Sequence, residues 1–238
     1  MPPSSEAPAA GAVAVHDVGT PLGPARLHVH APAGPGRPGR SGRSGRSGRP
    51  APRGTVVLGH GAGGGIEAAD LVAVTVSVTA DGWRVVLVEQ PWRVAGKKVA
   101  PAPARLDVGW LAALDGLAAL DGLAAGPLLV VGGRSAGARV ACRTAAATGA
   151  HGVVCLSFPL HPPGRPERSR AAELAAAGVP ALVVQGARDP FGRPAEVSGA
   201  VPGVEVVEVP GDHGLAPGAA QAARAVTDWL ERLAAGRG

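Results

Sequence analysis

From Thr55 onward the chain alternates short apolar runs with helix-length segments, and few folds accommodate that pattern. The runs lie at 56–58, 85–88, 128–131, 153–156, 182–184 and 204–209 and are built mainly from Val and Leu. Between and after them stand helix candidates at 67–80, 106–124, 136–148, 171–177, a weaker one at 195–200, and 219–235. Strands that are apolar along their whole length are buried on both faces, and joining two parallel strands takes a crossover of about a dozen residues. The pattern predicts an α/β fold: a mostly parallel sheet with helices on both faces. Two segments test the reading. Residues 71–78 are rich in β-branched side chains and resemble a strand, although their length and position between two strands favour a crossover helix. In 106–124 a tandem Leu-Asp-Gly-Leu-Ala-Ala places two glycines inside a helix, which weakens it.

Ahead of this block, Val13, Val15 and Val18 and then Leu27 and Val29 flank the turn residues Gly19, Pro21, Gly23 and Pro24, the signature of an antiparallel opening hairpin. Residues 32–53 follow, with a repeated Gly-Arg-Ser triplet and almost no apolar side chains to offset the entropy of ordering; a disordered loop is expected there. A chain of 238 residues fits one core, so residues 1–238 are expected to form a single domain.

The side chains available for that core are aliphatic, since hydrophobic residues make up 46% of the chain but aromatic ones only 3%, with no Tyr. The net charge of +5 has a local origin: six arginines between Arg37 and Arg53 account for it, and the remainder is close to neutral. A basic face for nucleic acid is therefore not expected. Cys142 and Cys155 sit among apolar neighbours, away from any His or Cys at ligand spacing, and read as reduced core residues; no metal or cofactor is expected. Residues 1–11 lack a basic and an apolar signal region, and no stretch reaches the roughly 18 apolar residues of a membrane span, which points to the cytoplasm.

The chemistry concentrates in Gly133-Arg134-Ser135-Ala136-Gly137, placed directly after one apolar run and before an Ala-rich segment. A sharp strand-to-helix turn of this kind lifts the Ser135 hydroxyl above the sheet, and the residues two before and two after must be small. The Ala136 amide then opens a helix, where unpaired N–H groups favour developing negative charge and supply half of an oxyanion hole. The other half is expected from His60-Gly61-Ala62-Gly63-Gly64-Gly65 after the first parallel strand, through the Ala62 amide first and Gly61 second. Asp189 follows another strand by four residues, and His213 follows the last strand in Gly211-Asp212-His213-Gly214. In chain order Ser135, Asp189 and His213 are thus candidates for nucleophile, orienting acid and base. Alone, Gly-x-Ser-x-Gly arises by chance in a Gly- and Ala-rich chain, Asp189 would serve as a turn residue and His213 as a surface loop residue; the shared context gives the set its weight. His60 precedes the nucleophile and reads as structural, and His151 and His161 read as surface residues.

Two other function classes compete. Gly59-His60-Gly61-Ala62-Gly63-Gly64 satisfies Gly-x-Gly-x-x-Gly, and Glu89 closes the next strand where a ribose-binding acid of a dinucleotide site would lie. A non-catalytic interaction protein that keeps the fold is the other alternative. An ester-type small molecule remains the favoured substrate, cleaved through an acyl-enzyme. Cations at Arg93, Lys97, Lys98, Arg134, Arg165, Arg168, Arg188 and Arg193, with Arg93, Arg134 and Arg188 foremost, suggest contact with an anionic substrate; the plainer reading is that they are solvated.

Several segments together resemble a known family: His60 to Gly64, Gly132 to Gly137, Phe158-Pro159-Leu160-His161-Pro162-Pro163-Gly164, Gln185-Gly186-Ala187-Arg188-Asp189-Pro190-Phe191-Gly192, and Gly211-Asp212-His213. From about Gly54 to the C-terminus the chain resembles small bacterial α/β-hydrolases of the dienelactone-hydrolase-like branch, related to the hydrolase-like domains of a testis-expressed protein and a chromatin-complex subunit. The resemblance implies an α/β-hydrolase fold with a minimal cap and a Ser-Asp-His site. It also implies that some relatives are scaffolds. The chain departs from the family at Ala136, where a Met or bulkier residue is common, and in its Arg-Gly-Ser insertion.

Overall fold

The computed structural model describes residues 13–33, 51–120 and 126–236, so most of the expected loop at 32–53 and the end of the segment at 106–124 lie outside the described residues. One eight-stranded sheet runs in the order β1-β2-β4-β3-β5-β6-β7-β8. β1 (Val13–Val18) and β2 (Ala25–His30) form the antiparallel hairpin, and β2 joins β4 (Arg84–Glu89) antiparallel. The rest is parallel: β4 beside β3 (Thr55–Gly59), then β5 (Leu129–Arg134), β6 (Gly152–Leu156), β7 (Ala181–Gly186) and β8 (Glu205–Val209).

Side chains of successive strand residues leave opposite faces, and both faces are covered. Val57, Val86, Val88, Val131, Val153 and Val183 pack with Leu106, Trp110 and Leu117 of α3 (Pro103–Ala119) and Val140 and Ala141 of α4 (Ala136–Thr148). Val56, Leu58, Val85, Leu87, Val130, Val154 and Val184 pack instead with Leu71, Val74 and Val78 of α1 (Ala69–Ala80) and Val226, Trp229 and Leu230 of α7 (Ala219–Ala235). This two-sided burial is why the strands read as unbroken apolar runs.

Residues 71–78 are helical despite their β-branched content. Leu71, Val74 and Val78 are fully buried while Val76 is 65% exposed, a helical spacing, and the hydroxyls of Thr75 and Thr79 donate back to the carbonyls of Leu71 and Thr75 at 2.7 and 2.8 Å. Tertiary burial overrides a weak propensity. Gly116, which the sequence marks as a helix weakness, is a packing device: a Cβ there would come 2.8 Å from Val18 Cβ, so glycine lets α3 lie against β1. α3 begins at Pro103, earlier than the periodicity suggests, because proline suits the first helical turn. Short helices α2 (Pro91–Val94), α5 (Ala171–Ala175) and α6 (Pro194–Ala200) complete the set, of which α2 has no apolar period long enough to announce it. Arg143 forks onto Asp107 at 2.6 and 2.9 Å and reaches Glu173 at 2.7 Å, tying α4 to α3 and α5. Cys142 and Cys155 are buried free thiols.

Among the described residues no helix is long and apolar enough to cross a membrane.

Candidate active site

β5 ends in the sharp turn that the glycines anticipate. Ser135 has φ 53° and ψ −109°, a region that costs a non-glycine residue on the order of 1–3 kcal/mol and persists only where surrounding contacts enforce it. Here the Ser135 amide donates to Leu156 O at 2.9 Å on β6, and the Ser135 carbonyl accepts from Arg139 at 3.2 Å inside α4. β3 presses on the turn from the other side: a Cβ on Gly133 or Gly137 would stand 2.4 or 2.5 Å from Gly59 O. Gly133→Ala is therefore expected to destabilise the fold by more than about 3 kcal/mol, since a backbone oxygen cannot swing aside as a side chain can; the denaturant midpoint measures it.

The loops after β7 and β8 meet this turn. Asp189, 1% exposed, lies in the loop after β7, and its Oδ1 accepts the Phe191 amide at 2.8 Å. Its Oδ2 accepts from Gln185 Nε2 at 2.9 Å and from His213 Nδ1 at 2.8 Å. A buried carboxylate only accepts, so Nδ1 carries the proton and Nε2, 2.8 Å from Ser135 Oγ, is left as the acceptor for the hydroxyl hydrogen. Phe191 covers the imidazole, with ring centroids 4.2 Å apart and planes 32° apart. The loop that carries His213 is shaped by Asp212, whose Oδ1 accepts the Gly214 amide at 2.8 Å, and by Leu215 in the left-handed region.

The loop after β3 crosses on the opposite side. A Cβ on Gly61 would lie 3.5 Å from Ser135 Cβ, which is how close this backbone comes to the hydroxyl. His60 anchors the loop: its Nδ1 donates to Gly61 O at 2.9 Å, and its Nε2 accepts the Gln90 amide at 3.2 Å. Burial pushes its pKa below the ordinary imidazole value and keeps the ring neutral, the form that this pairing requires. Ala62 is exposed at the loop's crest, and Ala136 opens α4, where its amide has no partner within the helix.

The model of the α/β-hydrolase domain matches residues 52–235. The chain belongs to this family. Among solved structures the fold is similar to a serine hydrolase without lid from Xanthomonas campestris (TM-score 0.70, 18% identity, covering 92% of this chain and 94% of that one). It is also similar to an α/β serine hydrolase homologue from Coxiella burnetii (0.69, 15%, 91% and 97%) and to Est1E from Butyrivibrio proteoclasticus (0.69, 15%, 93% and 99%). No curated protein matches the sequence.

Within this α/β-hydrolase the cations singled out in the sequence differ in situation. Arg188 is exposed on the Asp189 loop, and Arg93 is partly exposed with Nη2 3.9 Å from Glu67 Oε1. Arg134 is engaged: its Nη2 donates to His213 O at 2.7 Å, and its Nε lies 3.0 Å from Oδ2 of the fully buried Asp70, an ion pair in distance though not aligned as a hydrogen bond. Glu89, the acid a dinucleotide site would use, hydrogen-bonds His28 on β2 at 2.8 Å.

Of the two histidines read as surface residues, one is buried and the other is half-buried. His161 is 7% exposed, with Nδ1 donating to Pro162 O at 3.0 Å, because its own amide donates to Phe191 O at 3.0 Å and draws the segment after β6 inward. His151 is half-buried and accepts the Leu129 amide at 3.1 Å at the start of β5. Sequence reasoning gave no role to Gln185, whose amide also donates to Gly192 O at 2.8 Å and so braces both ends of the Asp189 loop. The available signal was a lone amide ending the apolar run of β7 four residues before the acid.

Proposed function

We propose that this α/β-hydrolase cleaves a small-molecule ester, thioester or lactone through an acyl-enzyme on Ser135. The observation that supports it most is the unbroken hydrogen-bonded line from Ser135 Oγ through His213 to the buried Asp189, at 2.8 Å for each step. His213 Nε2 takes the hydroxyl proton as Oγ attacks the carbonyl carbon, and the carbonyl oxygen becomes an oxyanion held by the Ala136 amide and by an amide of the Gly61–Ala62 loop. The imidazolium, stabilised by Asp189, gives its proton to the leaving oxygen or sulfur, the bond to it breaks, and the acyl group stays on Ser135. Water then repeats the sequence with His213 as base, releasing the acid. Of the arginines, we assign Arg134 to holding the His213 loop, while Arg93, partly exposed, and Arg188, exposed on the Asp189 loop, are left to meet an anionic substrate.

A fluorophosphonate probe tests the assignment. One adduct on the peptide that contains Ser135, with parallel loss of p-nitrophenyl acetate hydrolysis, is the expected result. Ester turnover that survives without labelling of Ser135 would overturn it.

A further inference from the structure

We propose that the acyl side of this site is a slot that admits an acetyl-sized group and disfavours longer chains, with Trp92 as its back wall. The proposal rests on the serine-hydrolase reading and adds the substrate class to it. Direction comes first. The leaving atom must receive a proton from His213, so the leaving group lies on the His213 side, toward the loops after β7 and β8. The acyl substituent, across the tetrahedral carbon, then points the other way, over β3 and β4, which the strand order places on the opposite side of β5.

A cavity sits there, against the Gly61–Ala62 loop and the start of α4. Its walls include Ala62, Ala136, Val140, Leu106, Ala100 and Trp92, and none comes from the loops after β6, β7 or β8. Its volume is ≈10 Å³. About 10–15 Å³ measured in this way holds a single water-sized group, which is also the scale of a methyl. The walls formed by Val140, Trp92 and Leu106 have little freedom to retreat: they are 1%, 6% and 8% exposed, and the Trp92 ring packs on the anchored His60 ring at 5.5 Å. Packed interiors of this kind resist added methylenes.

Beside it lies a second hollow of ≈320 Å³ that shares Gln90, Trp92 and Ala100 with the slot and is lined also by Leu22, Val99, Lys97 and Arg105. Trp92 therefore lines both a one-group slot and a much larger groove whose walls include the cations Lys97 and Arg105. Removing the Trp92 ring should convert a short-acyl enzyme into one that accepts longer chains, and among these it should favour chains ending in a carboxylate.

The test is a series of p-nitrophenyl esters from acetate to octanoate, run on the full chain. Hydrophobic pockets discriminate by roughly 10–200-fold per methylene. The expected kcat/KM is highest for acetate, falls from propionate onward and is at least about 100-fold lower for hexanoate. Trp92→Ala should raise the hexanoate-to-acetate ratio about 10-fold or more, and Leu106→Ala, which widens the same slot while keeping Trp92, should raise it for butanoate; a variant is scored only if fluorophosphonate still labels it. A flat profile in the unmodified protein, or ratios unmoved in the labelled variants, overturns the slot and leaves the serine-hydrolase reading standing. Failure of every ester together with failure to label Ser135 overturns the reading itself, and the slot with it.

Discussion

Alanine at His213 is expected to lower kcat for ester hydrolysis by about 10⁴–10⁶-fold, and adding Ser135→Ala to it should cost almost nothing more. The non-additivity follows from the geometry. His213 Nε2 lies 2.8 Å from Ser135 Oγ, so under the proposed mechanism the two groups form one proton-transfer unit, and losing either would remove the attack. Asp189→Asn should cost about 10⁴-fold through a different physical route. The Phe191 amide donates to Oδ1 at 2.8 Å, so an asparagine there keeps its carbonyl oxygen toward Phe191 and turns its NH₂ toward His213. Two donors cannot face each other, so the imidazole moves its proton to Nε2 and can no longer accept from Ser135. Steady-state kinetics on p-nitrophenyl acetate measure the unmodified protein, the two alanine singles, their double variant and Asp189→Asn. A His213→Ala variant keeping a tenth of the activity, or a double variant far below both singles, would mean that these groups do not act together.

Much of this arrangement is legible in the sequence, and the reason is specific. Parallel strands buried on both sides advertise themselves as apolar runs, and a serine turned onto a helix here needs glycine at positions 133 and 137 because Gly59 O stands where a Cβ would be. Chain order carried Asp189 and His213, each placed just past the end of a strand. What stayed hidden depends on contacts between elements distant in sequence. Strand order is one case: β4 lies between β2 and β3, and no local pattern encodes that neighbour choice. Arg134 is another, since a cation beside a nucleophile suggests substrate, and only the approach of α1 from one side and the His213 loop from the other shows it bound to the protein itself. His161 is a third, buried by a loop whose composition of Pro, Gly and Arg gives no apolar signal. The wall at Trp92 was hidden for the same reason, because α2 is a single turn whose position is set by its neighbours.

Arg134→Met is expected to destabilise the protein by about 3–5 kcal/mol, the usual loss when one partner of a buried ion pair is removed and the other left behind. Asp70 is fully buried, and burial raises its pKa above the ordinary 3.8, with the Arg134 charge acting in opposition. Without Arg134 that opposition is gone and the native state holds the Asp70 proton more tightly still. The sign of the pH dependence follows. A carboxyl whose pKa is higher in the folded than in the unfolded chain favours the native state fully below the unfolded value, and that contribution is lost as pH rises through the folded value. The stability gap between Arg134→Met and the unmodified protein should accordingly be smallest near pH 4 and widest at neutral pH. Adding Asp70→Asn removes the stranded charge and should recover most of the loss at pH 7, yet it cannot restore the hydrogen bond from Arg134 to His213 O. The double variant should then fold well and still hydrolyse esters more slowly, with kcat reduced more than KM is changed, because the His213 loop has lost its tether while the slot has not. Urea midpoints at pH 5 and pH 8, read beside the kinetics, separate the two roles. An Arg134→Met variant equally destabilised at both values, and unrelieved by Asp70→Asn, would show that the buried pair is not what holds this corner together.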